Sequence, residues 1–151
     1  MKRNTDQIRL IKCIKDAEWD FAKELRNKYF FDPLAIKDPY IWTFDHEDHI
    51  HFILYQDDAM VGYAHIQLWP NRRAALRIIV IDESYRNHGL GSQFLLLCEQ
   101  WLKKQNINSL HDEARPSAVK FYRKNGYTEM PFNDPTGEPP SIHDLAMGKK
   151  L

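Results

Sequence analysis

Tyr85-Arg86-Asn87-His88-Gly89-Leu90-Gly91-Ser92 follows an apolar run, Leu76 to Ile81, and opens a segment in which Phe94, Leu97, Cys98, Trp101 and Leu102 recur at spacings of three and four. A strand, a glycine-bearing turn and then a helix is an order of elements that aims backbone N–H groups at an anion, a pyrophosphate above all. Gly89 and Gly91 remove side chains where the chain must come close to a ligand, and the positive end of the helix dipole adds to the attraction. Arg86, Asn87, His88, Gly89, Leu90, Gly91 and Ser92 are therefore the candidate phosphate-binding residues. A plain turn before a helix has the same appearance. A dinucleotide-binding fingerprint fits less well, because Phe94 stands where its third glycine belongs. His88 reads as exposed and incidental.

Working outward, Ile8 to Ile14 reads as a first strand, and Asp16 is placed to cap a helix running through Trp19, Phe21, Ala22, Leu25 and Tyr29. Phe30 to Asp48 is irregular: Pro33 and Pro39 interrupt large apolar residues, which suits a broken helix lining a pocket and equally a packed loop. Ile50 to Tyr55 and Met60 to Leu68 flank Gln56-Asp57-Asp58-Ala59 as a hairpin. A turn at Trp69 to Arg72 leads into a third strand, Ala74 to Ile81. After the helix that starts at Leu90, Ile107 to Asp112 returns as a strand, so Ala74 to Asp112 forms one right-handed crossover unit with a parallel strand pair. Pro116 opens a second short helix, which Asn125-Gly126 ends. Tyr127 to Met130 reads as a strand, the proline-rich stretch Pro131 to Pro140 as a loop, and Ile142 to Gly148 as the final strand.

The 151 residues, 43% hydrophobic and 13% aromatic, suffice for a core and predict one domain over 1–151. The 21 basic and 21 acidic residues cancel without any block of like charge, so neither a nucleic-acid backbone nor a membrane surface is an expected partner. Met1 to Gln7 is charged but precedes no apolar stretch of export length, and the expected location is cytoplasmic. Cys13 and Cys98 sit in apolar patterns and read as buried fillers. His46, His49 and His51 invite a zinc reading, yet no cysteine joins them and Asp45, Glu47 and Asp48 are what a polar turn contains. No metal is expected.

About thirty residues beyond the glycine loop comes Ala118-Val119-Lys120-Phe121-Tyr122-Arg123-Lys124-Asn125-Gly126-Tyr127. Together the two segments resemble the Gcn5-related N-acetyltransferases, whose loop reads Arg/Gln-x-x-Gly-x-Gly/Ala and whose second signature reads Ala-x-x-Phe-Tyr-x-x-x-Gly-Phe/Tyr. The likeness runs from about Met60 to the C-terminus and covers the first fifty residues only by order of elements. It implies an α/β (α+β mixed) fold: a mixed, mostly antiparallel sheet of six to seven strands with splayed parallel central strands, flanked by about four helices. It implies acetyl-CoA as the acyl donor, with the pantetheine arm in the split, and a primary amine of a small molecule or peptide as acceptor. The expected partners are that acceptor and, at most, a second copy of the chain.

Under this resemblance the backbone of Ile79, Val80 and Ile81 contacts the cofactor, and Arg86 braces the loop in many members. Arg115 replaces an asparagine that many members carry, leaving one cofactor hydrogen bond in question. Tyr122 is the candidate acid for the departing thiolate, since a phenol at about 10 can protonate a thiolate whose acid lies at about 8.5. Phe121 beside it is expected to pack inward, and Lys124 to be solvated. For a base, His65, Glu83, His111, Asp112 and Glu113 are candidates; Glu113 lies nearest the opening of the split, and attack by a neutral amine needs no base. The competing function is a CoA-binding sensor or interaction module that keeps the fold without turnover.

Overall fold

A computed structural model of the chain describes residues 7–139 and 141–151. Met1 to Asp6, at the charged start, and Pro140, the end of the expected loop, lie outside them. The elements are β1 (Ile8–Lys12), α1 (Asp16–Arg26), β2 (His49–Gln56), β3 (Ala59–Trp69), β4 (Arg73–Ile81), α2 (Leu90–Lys104), β5 (Ser109–Ala114), α3 (Val119–Lys124), β6 (Thr128–Glu129) and β7 (Leu145–Lys150). They build a seven-stranded sheet in the order β1-β2-β3-β4-β5-β7-β6, antiparallel except for the β4–β5 pair. The mixed sheet is as expected. Among the described residues there are three α-helices, and the irregular stretch supplies 3-10 turns at Asp32–Leu34 and Ile41–Asp45.

Alternation along the strands sends two apolar sets to opposite faces. Phe52, Leu54, Ala64, Ile66, Ala74 and Leu76 pack with Phe94, Leu95, Cys98 and Leu102 of α2. Ile53, Tyr63, Ile78 and Val80 pack with Ala22 and Leu25 of α1 on the other face. Cys98 is buried in the first set and Cys13 is half-buried beside the second, and burial pushes both thiols well above their ordinary value.

Several ends differ from expectation for local reasons. Asp16 does not cap α1: Lys15 is the cap residue, and Glu18 reaches back to accept the Ile14 and Lys15 N–H groups, both at 3.0 Å. Beyond Arg26 the helix widens into a π-helical turn, Asn27–Phe31. The β2–β3 hairpin turns at Asp57, with φ 52°, and β3–β4 turns at Asn71 and Arg72, with φ 63° and 61°; these are the left-handed conformations that match the strand twist. β7 starts at Leu145 rather than Ile142, and Ile142 is exposed. β6 is only two residues long, edge-paired to β7.

Two departures from regular pairing shape the centre of the sheet. β4 and β5 pair only through Arg73–Ser109, Ala74–Leu110 and Ala75–His111, after which they separate. Just beyond that point β4 bulges: His65 pairs with Ile78 and Ile66 with Leu76, leaving Arg77 as the extra residue.

Candidate active site

The parting of β4 and β5 opens a cavity of about 760 Å³. Arg77 to Ile81 form one wall, and Glu113, Ala114 and Arg115 form the other. Tyr85, Arg86, Asn87, Gly89, Leu90, Gly91 and Ser92 close one end, and Phe121, Tyr122 and Lys124 approach from α3. Of the residues named from sequence for binding the cofactor and for donating a proton, all but His88 line this cavity; His88 is exposed. His88 lies between Asn87 and Gly89, whose φ values of 67° and 77° carry it over the crest of the turn.

At the closed end, Gly89 is the cap residue of α2, and the first intrahelical bond is from Gln93 N–H to Gly89 O, at 3.3 Å. The N–H groups of Leu90, Gly91 and Ser92 therefore have no helical acceptor and point out of the helix end. Arg86 does not reach into this space with its Nε, which donates to Ile81 O at 2.8 Å. Its guanidinium lies 4.7 Å from the Tyr29 ring centre, and Tyr29 in turn donates to Asp82 Oδ1 at 2.6 Å. Arg86 is a brace tying the loop to the end of β4 and to the α1 extension.

On the β4 wall, the Asp82 N–H donates to Val61 O of β3 at 2.8 Å. By the two-residue period, Val80 is likewise turned to β3, opposite Tyr63, whereas the N–H and C=O groups of Ile79 and Ile81 face the split. Arg86 satisfies one of these, the Ile81 carbonyl. Ile79, Val80 and Ile81 all line the cavity, and of the three it is Ile79 and Ile81 whose backbone groups are turned away from β3.

Tyr122 is 8% exposed, and its hydroxyl makes no hydrogen bond among the described residues. α3 is held against α2 by Asn125, whose Nδ2 donates to Phe121 O at 2.8 Å and to Ser92 Oγ at 3.1 Å. Burial pushes the Tyr122 phenol above its ordinary value, the carboxyl of Asp112 adds to this, and Arg115 opposes it. Phe121 packs with its ring 5.2 Å from Tyr122 and also faces the cavity.

The β5 candidates divide by face. Asp112 is 2% exposed with neither carboxyl oxygen partnered among the described residues, and burial, then Glu113, raises it to about 7. His111 is buried against Trp69, with ring centres 5.8 Å apart, and lies outside the cavity lining. Glu113 lines the cavity, and its Oε2 accepts the Ser141 N–H at 3.0 Å. Arg115 lines it too, its guanidinium 5.1 Å over the Phe30 ring from the π-helical turn. Of the five base candidates, Glu113 is the one at the cavity.

Sequence reasoning missed the polar layer under α1. Arg26 makes a two-point pair with Asp38, through Nε and through Nη2 to Oδ1 at 3.0 Å, and donates from Nη1 to Tyr63 OH at 3.0 Å. His51 and His65 stack at 4.4 Å, and His49 Nδ1 lies 2.8 Å from His65 Nε2. Burial depresses all three rings, His49 and His51 to about 4. The alternation of His49 and His51 on one strand was visible; His65 and Arg26 come from other elements. Among the described residues no group of three or more His, Cys, Asp or Glu side chains is disposed to hold a metal ion. Among them, too, no helix is long and apolar enough to cross a membrane.

The sheet order, the parted strands and the helix end facing the cavity define an acyltransferase-type architecture, and comparison with known proteins agrees. The profile of the Acetyltransferase (GNAT) family matches residues 14–127, and the chain belongs to that family. Membership implies acetyl-CoA-dependent acyl transfer.

No curated protein matches the chain. Solved structures similar in fold include Gcn5 of Tetrahymena, 17% identical over 94% of this chain and 95% of that one, with a TM-score of 0.77. An acetyltransferase of the GNAT family from Staphylococcus aureus Mu50 is 18% identical, over 96% and 99%, with a TM-score of 0.72. The PaiA N-acetyltransferase of Thermoplasma acidophilum, in complex with coenzyme A, is 17% identical over 96% and 99%, with a TM-score of 0.67.

Proposed function

We propose that the chain transfers the acetyl group of acetyl-CoA to a primary amine of a small molecule or peptide, the amine attacking directly within a ternary complex. One observation carries this reading: a single cavity gathers the free N–H groups of a helix start, a strand with backbone groups turned into a split, and a tyrosine hydroxyl with no other partner among the described residues.

The N–H groups of Leu90, Gly91 and Ser92 fit a pyrophosphate without a metal, because they lie at the positive end of α2. Ile79 and Ile81 fit the amide groups of a pantetheine arm, which replace the strand partner that β5 no longer provides. Tyr122 donates its proton to the departing sulfur. Its buried phenol is a weaker acid than a free one, so the step rests on geometry, the hydroxyl lying within hydrogen-bond reach of the sulfur as the bond breaks. Glu113 takes a proton from the incoming ammonium; an amine that arrives neutral passes its proton to water instead.

Titration of acetyl-CoA in excess chelator tests the donor site, and thiol release with a panel of amines tests turnover. Undetectable binding overturns the assignment. Binding without thiol release from any amine favours a CoA-binding module over an enzyme.

A further inference from the structure

Arg77 owes its place to the bulge. It stands two residues past Ala75, where β5 leaves β4, and has no residue opposite it on β3. Its Nε and Nη2 donate to Gln67 Oε1 at 3.0 and 2.7 Å, and Nη2 also donates to Asp134 Oδ2 at 3.0 Å. The guanidinium is further clamped 5.7 Å from the Trp69 ring centre and 5.6 Å from that of Phe132. Nη1 has no acceptor among the described residues, and Arg77 lines the cavity. A guanidinium already fixed in orientation, with donors to spare, loses little entropy when an anion arrives.

The surroundings say which anion. Asp134 offsets part of the charge, so a singly charged group balances Arg77 better than a doubly charged phosphate. Nη1 points no donor at Asp134, whose one pairing with Arg77 is through Nη2, so that side of the guanidinium is not neutralised by it. Among the cavity-lining residues four are cationic, Arg77, Arg86, Arg115 and Lys124, against the single carboxylate of Glu113. A polyamine or a lysine-rich peptide would bring further positive charge to that set.

Resting on the acetyltransferase reading, we propose that Arg77 selects the acceptor by pairing with a carboxylate on the same molecule that presents the amine, so that the acceptor is a small amino acid-type compound. The amine then lies toward the parting strands and Glu113, and the carboxylate lies against Nη1 of Arg77. Arg77 is a specificity residue in this arrangement, and takes no part in moving protons.

The test is thiol release from acetyl-CoA with matched pairs, each an amino acid and its primary amide, beside a polyamine and a lysine-rich peptide. The wild type is expected to turn over the free acids with at least about a tenfold advantage in kcat/KM over their amides. Arg77→Gln is expected to lower kcat/KM for an acid about tenfold more than for its amide, chiefly through KM, with Arg77→Lys in between. Gln67→Ala keeps the charge but frees the guanidinium, and should raise KM for the acids in the same direction; it serves if Arg77→Gln does not fold. Equal use of acid and amide, preference for the polyamine or the basic peptide, no turnover of any carboxylated amine, or an equal loss for both members of a pair in Arg77→Gln would each overturn the proposal. Separate acetyl-CoA titration tells the two readings apart: absent binding defeats acetyl transfer itself, whereas binding with indifference to the carboxylate defeats only the role of Arg77.

Discussion

Tyr122 is 8% exposed, packs its ring against Phe121 and Tyr127, and lines the cavity, and its hydroxyl has no hydrogen bond among the described residues. Replacing it by Phe keeps the packing and removes only that hydroxyl. Acetyl-CoA affinity should stay nearly unchanged while turnover falls by about a hundredfold, if proton donation is fully used. Single-turnover kinetics alongside titration checks this, and full turnover in the variant would leave Tyr122 as packing alone. Because burial and Asp112 both raise its phenol, any alkaline fall in rate should come later than an ordinary tyrosine would give. The Phe-Tyr pair was legible in sequence because a signature surrounds it. Asp112 was legible only as a base candidate; that neither oxygen finds a partner among the described residues depends on which face of β5 it occupies.

At the scale of elements, the turn into α2 is where sequence and structure meet most closely. Gly89 has a φ of 77° and open space about its absent Cβ, so Gly89→Ala strains the backbone by roughly 1–2 kcal/mol and redirects the N–H groups of α2 without a clash. Gly91 differs: an added Cβ would meet Phe121 Cε1 at 3.3 Å, so Gly91→Val presses on α3 as well as on the ligand space. Gly89→Ala should weaken acetyl-CoA binding and leave Tyr122 in place. Gly91→Val should weaken binding and also lower turnover at saturating donor; equal effects of the two variants on binding and on turnover would count against this division.

The strands β2, β3 and β4 were readable because alternation and turn residues agree. The stretch from Phe30 to Asp48 was not, because its course is set by contacts from afar: the Arg26–Asp38 pair, and Phe30 under Arg115. The bulge that makes Arg77 a wall of the cavity leaves no local signal either, since its cause is the pairing of β3 with β4. The parting of β4 from β5 was expected through the family resemblance alone.

Taken whole, the fold stores two opposed pH responses. His49 and His51 are held down to about 4 from 6.5 by burial, so their contribution to stability is complete above pH 6.5 and is lost as pH falls toward 4. Asp112 is displaced upward, from 3.8 to about 7, so its contribution is complete below pH 3.8 and is lost as pH rises through 7. Stability should therefore peak near neutrality, with the histidine layer governing the acid side. In Asp112→Asn the urea midpoint, relative to wild type, should rise progressively from about pH 4 to about pH 8. A difference that stays constant over that range would mean that Asp112 is not displaced.

The short seam between β4 and β5 has a consequence for how the molecule exchanges with solvent. Three paired positions join the two halves of the sheet along this line, and beyond them β4 is bonded only to β3 and β5 only to β7. Protection against amide hydrogen exchange should consequently alternate within β4 of the free protein: Val80, turned to β3, slow, and Ile79 and Ile81 at least about tenfold faster. On adding acetyl-CoA the alternation should fade, as the ligand takes the place of an absent neighbouring strand. The donor would then act as a removable piece of the sheet, and its departure would unmake the few hydrogen bonds it makes with Ile79 and Ile81.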